Sequence, residues 1–354
     1  MFYIVLFLLG AGMTSFFLTP LVRNVAVKIK LFDLPERERK MHEKSTPLLG
    51  GLAPFLGFLM VTVILASIRP FFILEKIPLS HLVAIFLGGA VLMVGGYLDD
   101  RYRLRPSRQI IFPMLAAVIV VMSGVGIREI TNPWGGVFSL VWLNLPFGFT
   151  FPSDLLTFLW LMLMMYTTKL LDGLDGLVSG LTLIGSAMIL FLATTTQWYQ
   201  PEVGALAAIA AGAFAGFLVW NFYPARIFLG EGGSTFAGFL LGVLAIISGG
   251  KIATTLLVIG VPVLDLFWVV LRRIFWEKKS PASDDRKHLH YRLLEVGFSH
   301  RGAVLFFYLV AALFGLLTLV LQSREKLVAL GLLVLLVGIG GFWLTLPKKR
   351  NLSS

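Results

Sequence analysis

The chain has no cysteine in its 354 residues, which removes disulfides, thiolate nucleophiles and cysteine-ligated metals from consideration. It is also short of charge: 14% of residues are Asp, Glu, Lys or Arg, against 57% hydrophobic. Acids are the scarcer sign, 19 against 30 bases, and the formal net charge is +11. No internal repeat or low-complexity tract is present, and no polar stretch is long enough to build a soluble domain with its own core. A basic excess of this size in a soluble protein would raise nucleic acid as a partner. Here no aromatic–basic patch or nucleic-acid motif accompanies it. In so apolar a chain the bias of Lys and Arg toward cytoplasmic loops accounts for it.

What the chain has instead is long hydrophobic runs. A bilayer core takes about 20 apolar residues per helix. Runs near 1–22, 49–68, 81–98, 110–125, 154–166, 177–194, 203–220, 235–248, 252–271, 303–322 and 327–346 predict an all-α polytopic membrane protein. About eleven transmembrane helices would form a single integral-membrane domain over 1–354. The first run, Met1 to Leu21, has neither a basic n-region nor a small-residue cleavage site and reads as a retained span. Gly88, Gly89, Gly95, Gly96, Gly212, Gly216, Gly238 and Gly242 lie inside runs, as expected where helices pack closely in lipid. With eleven spans, 24 of the 30 Lys and Arg fall in alternate loops and the C-terminal tail. Those loops are then cytoplasmic, the N-terminus outside and the C-terminus inside. On the outer side, alternation around Val137–Leu145 suggests a short periplasmic β-hairpin.

Because acids are scarce, their places are informative. Asp99, Asp100, Asp172, Asp175 and Glu231 stand at the ends of apolar runs, all beside loops assigned to the cytoplasmic face, as do His42, His288, His290 and His300. Ionisable groups at a bilayer edge are costly, and clusters of them mark sites. Asp99-Asp100 precedes four arginines and reads either as a helix end paired with them or as a base or cation site, since adjacent like charges shift each other's pKa. Asp172-Gly173-Leu174-Asp175-Gly176 spaces its acids three apart, on one face if helical, with glycines that let backbone approach a ligand. An ordinary turn is the plainer reading of that segment. The Gly230–Ser234 stretch could turn backbone N–H groups toward a phosphate or serve as a simple inter-helix turn. Asp285 to Arg292 offers alternate histidines, but with no third ligand nearby, His and Arg suit a polyanion better than a structural zinc. Hard cations such as Mg²⁺ favour carboxylate oxygens plus substrate phosphates, so the set fits chemistry on a phosphorylated substrate at the membrane surface.

In this order and spacing the residues resemble the polyprenyl-phosphate N-acetylhexosamine-1-phosphate transferase superfamily over nearly the whole chain. The elements are Arg39-Lys40 with His42, Thr46-Pro47, Gly50-Gly51, Asp99-Asp100-Arg101, Asp172 to Gly176, Asn221 with Pro224, Gly230 to Ser234, and His288-Leu289-His290 with Arg292. The resemblance implies transfer of a sugar-1-phosphate from a UDP-HexNAc to undecaprenyl phosphate, with release of UMP and with Mg²⁺. The setting would be the cytoplasmic face of a bacterial inner membrane, at the start of cell-envelope glycan synthesis. It implies Asp99 and Asp100 beside the lipid phosphate, Asp172 and Asp175 on the nucleotide side, Glu231 at the metal, and Phe228 stacked on uracil. Lys169 and His290 join the acids as catalytic candidates. Lys44, Asn221, Phe228, Gly233, Ser234, His288 and Arg292 are the substrate-binding set. A homodimer is a further expectation. The form of the Arg39 and His288 motifs looks more like the GlcNAc-1-phosphate branch than the phospho-MurNAc-pentapeptide translocases, which stand as the alternative. An ion-coupled transporter is a distant one, since it would place acids mid-span and show repeats.

Four positions depart from the family pattern. Tyr166 and Lys169 stand where asparagines are usual, Glu231 where aspartate is, and Tyr291 where a further histidine is. Lys169 and Glu231 occupy positions associated with the metal, and a protonated lysine repels a cation. Lys169 is therefore expected to pair with Glu231 or with the diphosphate, either assisting a displaced ion or taking over its electrostatic work.

Overall fold

The computed structural model describes residues 2–33, 45–132, 134–195, 199–249, 252–275, 277–278 and 288–345. Within them the chain is helical almost throughout, because in lipid a backbone must satisfy its own polar groups. The helices are α1 (Phe2–Lys28), α2 (Leu52–Ile68), α3 (Pro70–Leu74), α4 (Leu79–Tyr102), α5 (Pro106–Gln109), α6 (Ile111–Met122), α7 (Ser153–Leu171) and α8 (Leu177–Thr194). After these come α9 (Pro201–Asn221), α10 (Gly230–Ile247), α11 (Ile252–Val258), α12 (Gly260–Phe275), α13 (Leu289–Glu295), α14 (His300–Val320) and α15 (Ser323–Thr345). Six short strands are β1 (Phe32–Asp33), β2 (Thr46–Pro47), β3 (Glu129–Thr131), β4 (Val137–Ser139), β5 (Val141–Asn144) and β6 (Thr150–Pro152).

Each of the eleven hydrophobic runs falls on helix, but fewer are simple crossings. Seven helices are long and apolar enough to cross a membrane, and eight if α11 and α12, bent by 79° at their junction, form one span. Helix α2 and the α5–α6 segment are shorter apolar helices of up to 17 residues. Hydropathy averages over a bend or a break and so cannot distinguish them from a straight span.

Helix α10 is the centre. It packs on α4, α7 and α8, and its Phe236, Phe239, Leu240 and Leu241 have no exposed surface. Phe236 meets Phe55 of α2 edge-on at 5.3 Å between ring centroids and stacks near Phe214 of α9 at 6.4 Å, geometries that aromatic quadrupoles favour. At the periphery, α1 turns Leu9, Met13, Phe17 and Leu21 outward at i, i+4 spacing, an apolar stripe suited to lipid.

Small residues allow the closest helix contacts, as in other membrane bundles. Gly212 and Gly216 of α9 face the carbonyls of Leu8 and Gly12 of α1. Gly96 of α4 lies directly against the backbone of Gly232 of α10.

The expected hairpin near Val137–Leu145 takes a different pairing. Strand β4 pairs antiparallel with β3, and β5 with β6, giving two hairpins. Leu140 between them is buried and anchors both sides: its N–H donates to Arg128 O at 2.7 Å and its carbonyl accepts from Ser153 N at 3.1 Å. Alternation shows where strands form, and this one buried side chain decides how they pair.

A methyl group at Gly96 would collide with the Gly232 backbone, which cannot move aside as a side chain can. Gly96→Ala should therefore destabilise by at least the ~1–3 kcal/mol of ordinary overpacking. Gly10→Ala, which meets nothing within 4 Å, should leave the thermal midpoint in detergent unchanged.

Candidate active site

The C-terminal ends of α4, α7, α9 and α12 and the N-terminal ends of α8, α10 and α14 meet at one end of the bundle, and the acids meet with them. Helix α10 begins at Gly230, whose φ of +75° favours glycine and whose missing Cβ leaves room for Asp100, since a Cβ would lie 2.8 Å from Asp100 Oδ2. Both Asp100 oxygens sit 3.4 Å from the Glu231 N–H, so this carboxylate lies at the positive end of the α10 dipole. Asp99 is committed elsewhere. Its Oδ1 accepts from Leu104 N at 2.8 Å and from Gln109 Nε2 at 2.9 Å, closing the α4–α5 turn.

Lys169, on the last turn of α7, ion-pairs with the Glu231 carboxylate. Its Nζ also donates to Gln109 Oε1 at 3.0 Å and lies 5.7 Å from the Tyr166 ring centroid. A polar chain thus runs Glu231–Lys169–Gln109–Asp99. Asp99, Gln109 and Glu231 of this chain line a small recess together with the apolar Leu92, Gly95, Phe112 and Pro113.

The stretch from 172 to 176 lies on the other side of Lys169. Asp172 has an open face, but the surrounding protein strips water from the rest of its carboxyl. With repulsion from Glu231, Asp100 and Asp175 added, this pushes its pKa well above the ordinary carboxylate range. Asp175 is buried and holds the loop: Oδ2 accepts from Ala225 N at 2.9 Å, and its own N–H donates to His300 Nε2 at 2.9 Å. Asn221 links Ser179 Oγ (2.7 Å) to the Ile227 carbonyl (3.1 Å), fixing the 222–229 loop. In that loop Phe228 is half-buried, and its N–H donates to Pro47 O at 2.9 Å.

The histidines approach through Gly173, where a Cβ would come 2.5 Å from both His290 Nε2 and Tyr291 Oη. His288 Nδ1 lies 2.8 Å from Asp265 Oδ2, and Asp265 Oδ1 accepts from Leu289 N at 3.0 Å. His290 is buried, stacked at 5.6 Å on His288 and 4.2 Å from the Tyr291 ring, and among the described residues neither of its ring nitrogens has a hydrogen-bond partner. Burial, then the nearby His288 and His300, lower its pKa to about 3. Arg292 is half-buried on the same short helix.

The structure thus gathers Asp99, Asp100, Lys169, Asp172 and Glu231 into one group and sets Asp175, His288, His290 and Arg292 along its flank. Gly233 and Ser234 are buried within α10: Gly233 packs against Gly51, and Ser234 Oγ bonds back to the Gly230 and Glu231 carbonyls. The glycines there serve helix contact. Lys44, with Arg39, Lys40 and His42, lies outside the described residues. Gln109 and Asp265 were not anticipated. Asp265 carried a signal, an acid inside an apolar run, whereas nothing in the sequence marks Gln109.

Magnesium would have to take Glu231, the carboxylate that Lys169 holds. Among the described residues no three His, Asp or Glu converge as metal ligands. With the Lys169 ammonium on that carboxylate the set as folded does not fit a divalent ion, and no step is routed through one.

Charged groups concentrated at one end of a bundle of membrane-crossing helices, beside a partly apolar recess, define a membrane-embedded enzyme. Residues 82–249 match the family described as glycosyl transferase family 4. The chain is 31% identical to a probable undecaprenyl-phosphate N-acetylglucosaminyl 1-phosphate transferase of Bacillus subtilis, covering 92% of this chain and 87% of that one. It is 33% identical to a decaprenyl-phosphate N-acetylglucosaminephosphotransferase of Mycolicibacterium smegmatis (85% and 78% covered). It is 28% identical to an undecaprenyl-phosphate alpha-N-acetylglucosaminyl 1-phosphate transferase of Salmonella typhi (83% and 77%). The chain belongs to the polyprenyl-phosphate N-acetylhexosamine-1-phosphate transferase superfamily, in the GlcNAc-1-phosphate transferase branch, and is a multi-pass membrane phosphotransferase.

The depressed pKa of His290 has a testable sign. An unfolded His290 takes up its proton near 6.5 and the folded one only near 3, so between these values the unfolded state binds more protons. Its contribution to stability is complete above about pH 6.5 and is lost as pH falls toward 3. Thermal unfolding of substrate-free protein should show a smaller acid-side decline in His290→Phe than in the wild type.

Proposed function

We propose that the protein transfers GlcNAc-1-phosphate from UDP-GlcNAc to undecaprenyl phosphate, releasing UMP, and so starts a cell-envelope glycan. The observation that carries this is the match over 92% of the chain to a probable undecaprenyl-phosphate N-acetylglucosaminyl 1-phosphate transferase. The site's chemistry supports it. An oxygen of the lipid phosphate bonds to the sugar-bearing phosphorus, the bridging P–O bond breaks, and UMP leaves with the electron pair. Both reactants are anions, so the protein must neutralise charge and hold the groups in line.

The residues divide this work by what each has left to offer. Asp99 closes a turn, so Asp100 is the member of the pair that can orient the lipid phosphate or accept its proton. Asp172 is exposed beside Glu231 and Asp100 and can face the incoming donor substrate. His290, whose two ring nitrogens have no partner among the described residues, can meet diphosphate or sugar.

Exchange of radiolabelled UMP into UDP-GlcNAc by purified protein with undecaprenyl phosphate tests the reading. UDP-MurNAc-pentapeptide serves as the competing donor. Exchange should favour UDP-GlcNAc, and Asp100→Asn should lower it by ~10²–10⁴-fold, the scale of a lost acid–base group. No exchange with any UDP-HexNAc would defeat the proposal.

We place the enzyme in a bacterial cytoplasmic membrane with the acids facing the cytoplasm, as the basic loops favour. The absence of cysteine makes this simple to test, since an introduced thiol is the only one. An impermeant maleimide should label Ser139→Cys, in the β3–β4 hairpin, on intact cells. Ser107→Cys, in α5 beside the acids, should label only after permeabilisation.

A further inference from the structure

We propose that the ammonium of Lys169 is the resident cation of this site, occupying the place among the carboxylates that a divalent ion would need, so that the enzyme handles its phosphates without Mg²⁺. The inference rests on the phosphoryl-transfer reading above and deepens it.

The placement of the lysine carries the argument. Lys169 and Glu231 side chains are only 16% and 21% exposed, so their ion pair is shielded from the solvent and salt that weaken surface pairs. The ammonium is gripped from three directions: by Glu231, by Gln109 Oε1 at 3.0 Å, and by the Tyr166 ring at 5.7 Å. Gln109 is itself oriented, since its Nε2 donates both to Asp99 Oδ1 and to Leu104 O at 2.9 Å. Its carbonyl oxygen must then face the lysine. Gln109 is thus a positioning residue, holding Lys169 through the same amide that holds Asp99.

A divalent ion at Glu231 would have to displace this ammonium or share the carboxylate with it at close range, like charge against like. Mg²⁺ needs one or two carboxylates free to join substrate phosphates, and here the Glu231 carboxylate is already taken by the ammonium. Tyr166, Lys169 and Glu231 are three of the four positions at which the chain departs from its family, and they form one contact set. Against the family pattern these touching positions add one positive charge, the Lys169 ammonium, beside a retained carboxylate, which is the mark of a rebuilt centre.

The ammonium has three donors, and Glu231 and Gln109 take two. The third remains for a phosphate oxygen of the substrate.

The test reads the metal directly, independent of turnover. Mn²⁺ alone is titrated into purified wild type, Glu231→Gln and the double variant Lys169→Asn/Glu231→Asp, with binding followed by electron paramagnetic resonance. Wild type and Glu231→Gln should bind no Mn²⁺ at this site, and the double variant should gain one ion. In the exchange assay, EDTA should change wild-type activity by less than about twofold. Lys169→Met should lose ~10²–10³-fold, as when one transition-state donor is removed, and Lys169→Arg, which keeps the charge, should recover part of it. One Mn²⁺ bound by wild type and lost in Glu231→Gln would overturn the proposal, as would exchange abolished by EDTA. Should no UDP-HexNAc exchange at all, the functional reading fails, and the wild-type against Glu231→Gln titration still decides the cation. That comparison also stands if the double variant does not fold.

Discussion

Where Gly96 of α4 meets Gly232 of α10, two helix backbones touch with no side chain between them, and the meeting of Asp100 with the start of α10 follows from that contact. It brings the end of α4 over the start of α10, so that Asp100 faces the first N–H groups of the central helix. The dipole of α10 and the space left by Gly230 stabilise a carboxylate that would otherwise be poorly solvated. Because the site is built from helix ends, its geometry is set by packing across the bundle rather than by loop conformation. Such sites hold their groups more precisely than loops do.

Charge satisfaction then sorts the acids. Asp99 caps a turn, Asp175 ties the 172–176 loop to Ala225 and His300, and Asp265 fixes His288. Each of these carboxylates is engaged with hydrogen-bond partners. Among the described residues Asp100 meets only a long backbone contact, Asp172 is exposed, and Glu231 is engaged by Lys169. The cation within this group is the Lys169 ammonium, the α10 N-terminus faces Asp100, and His290 is buried on the flank. Neutralisation here is assembled from several modest contributions.

Much of this was legible beforehand. The hydrophobic runs located the helices, since a bilayer demands long apolar segments whatever their packing. The five acids stood out because charge is scarce, and the family pattern around Asp99-Asp100, Asp172 to Gly176 and His288 to Arg292 gave the reaction class. The expected Lys169–Glu231 pair is present. Less visible were features that depend on distant partners. The 79° bend between α11 and α12 leaves hydropathy unchanged, and the pairing of β3 to β6 turns on the burial of Leu140. Gly230 to Ser234 looked like a phosphate loop, yet its later glycines are spent on contact with Gly51 and Gly96.

By itself, the sequence determined what must be near lipid, where the charges lie along the chain and which reaction family they belong to, because these depend on residue type and order. Only the tertiary structure decided which carboxylates keep an open side, that Gln109 joins Asp99 to Lys169, and that Tyr166, Lys169 and Glu231 form one unit. These are properties of residues separated by tens of positions in the chain and brought within a few ångströms. A carboxylate's role in a low-dielectric setting is fixed by which partner reaches it first, and that depends on how the helices pack.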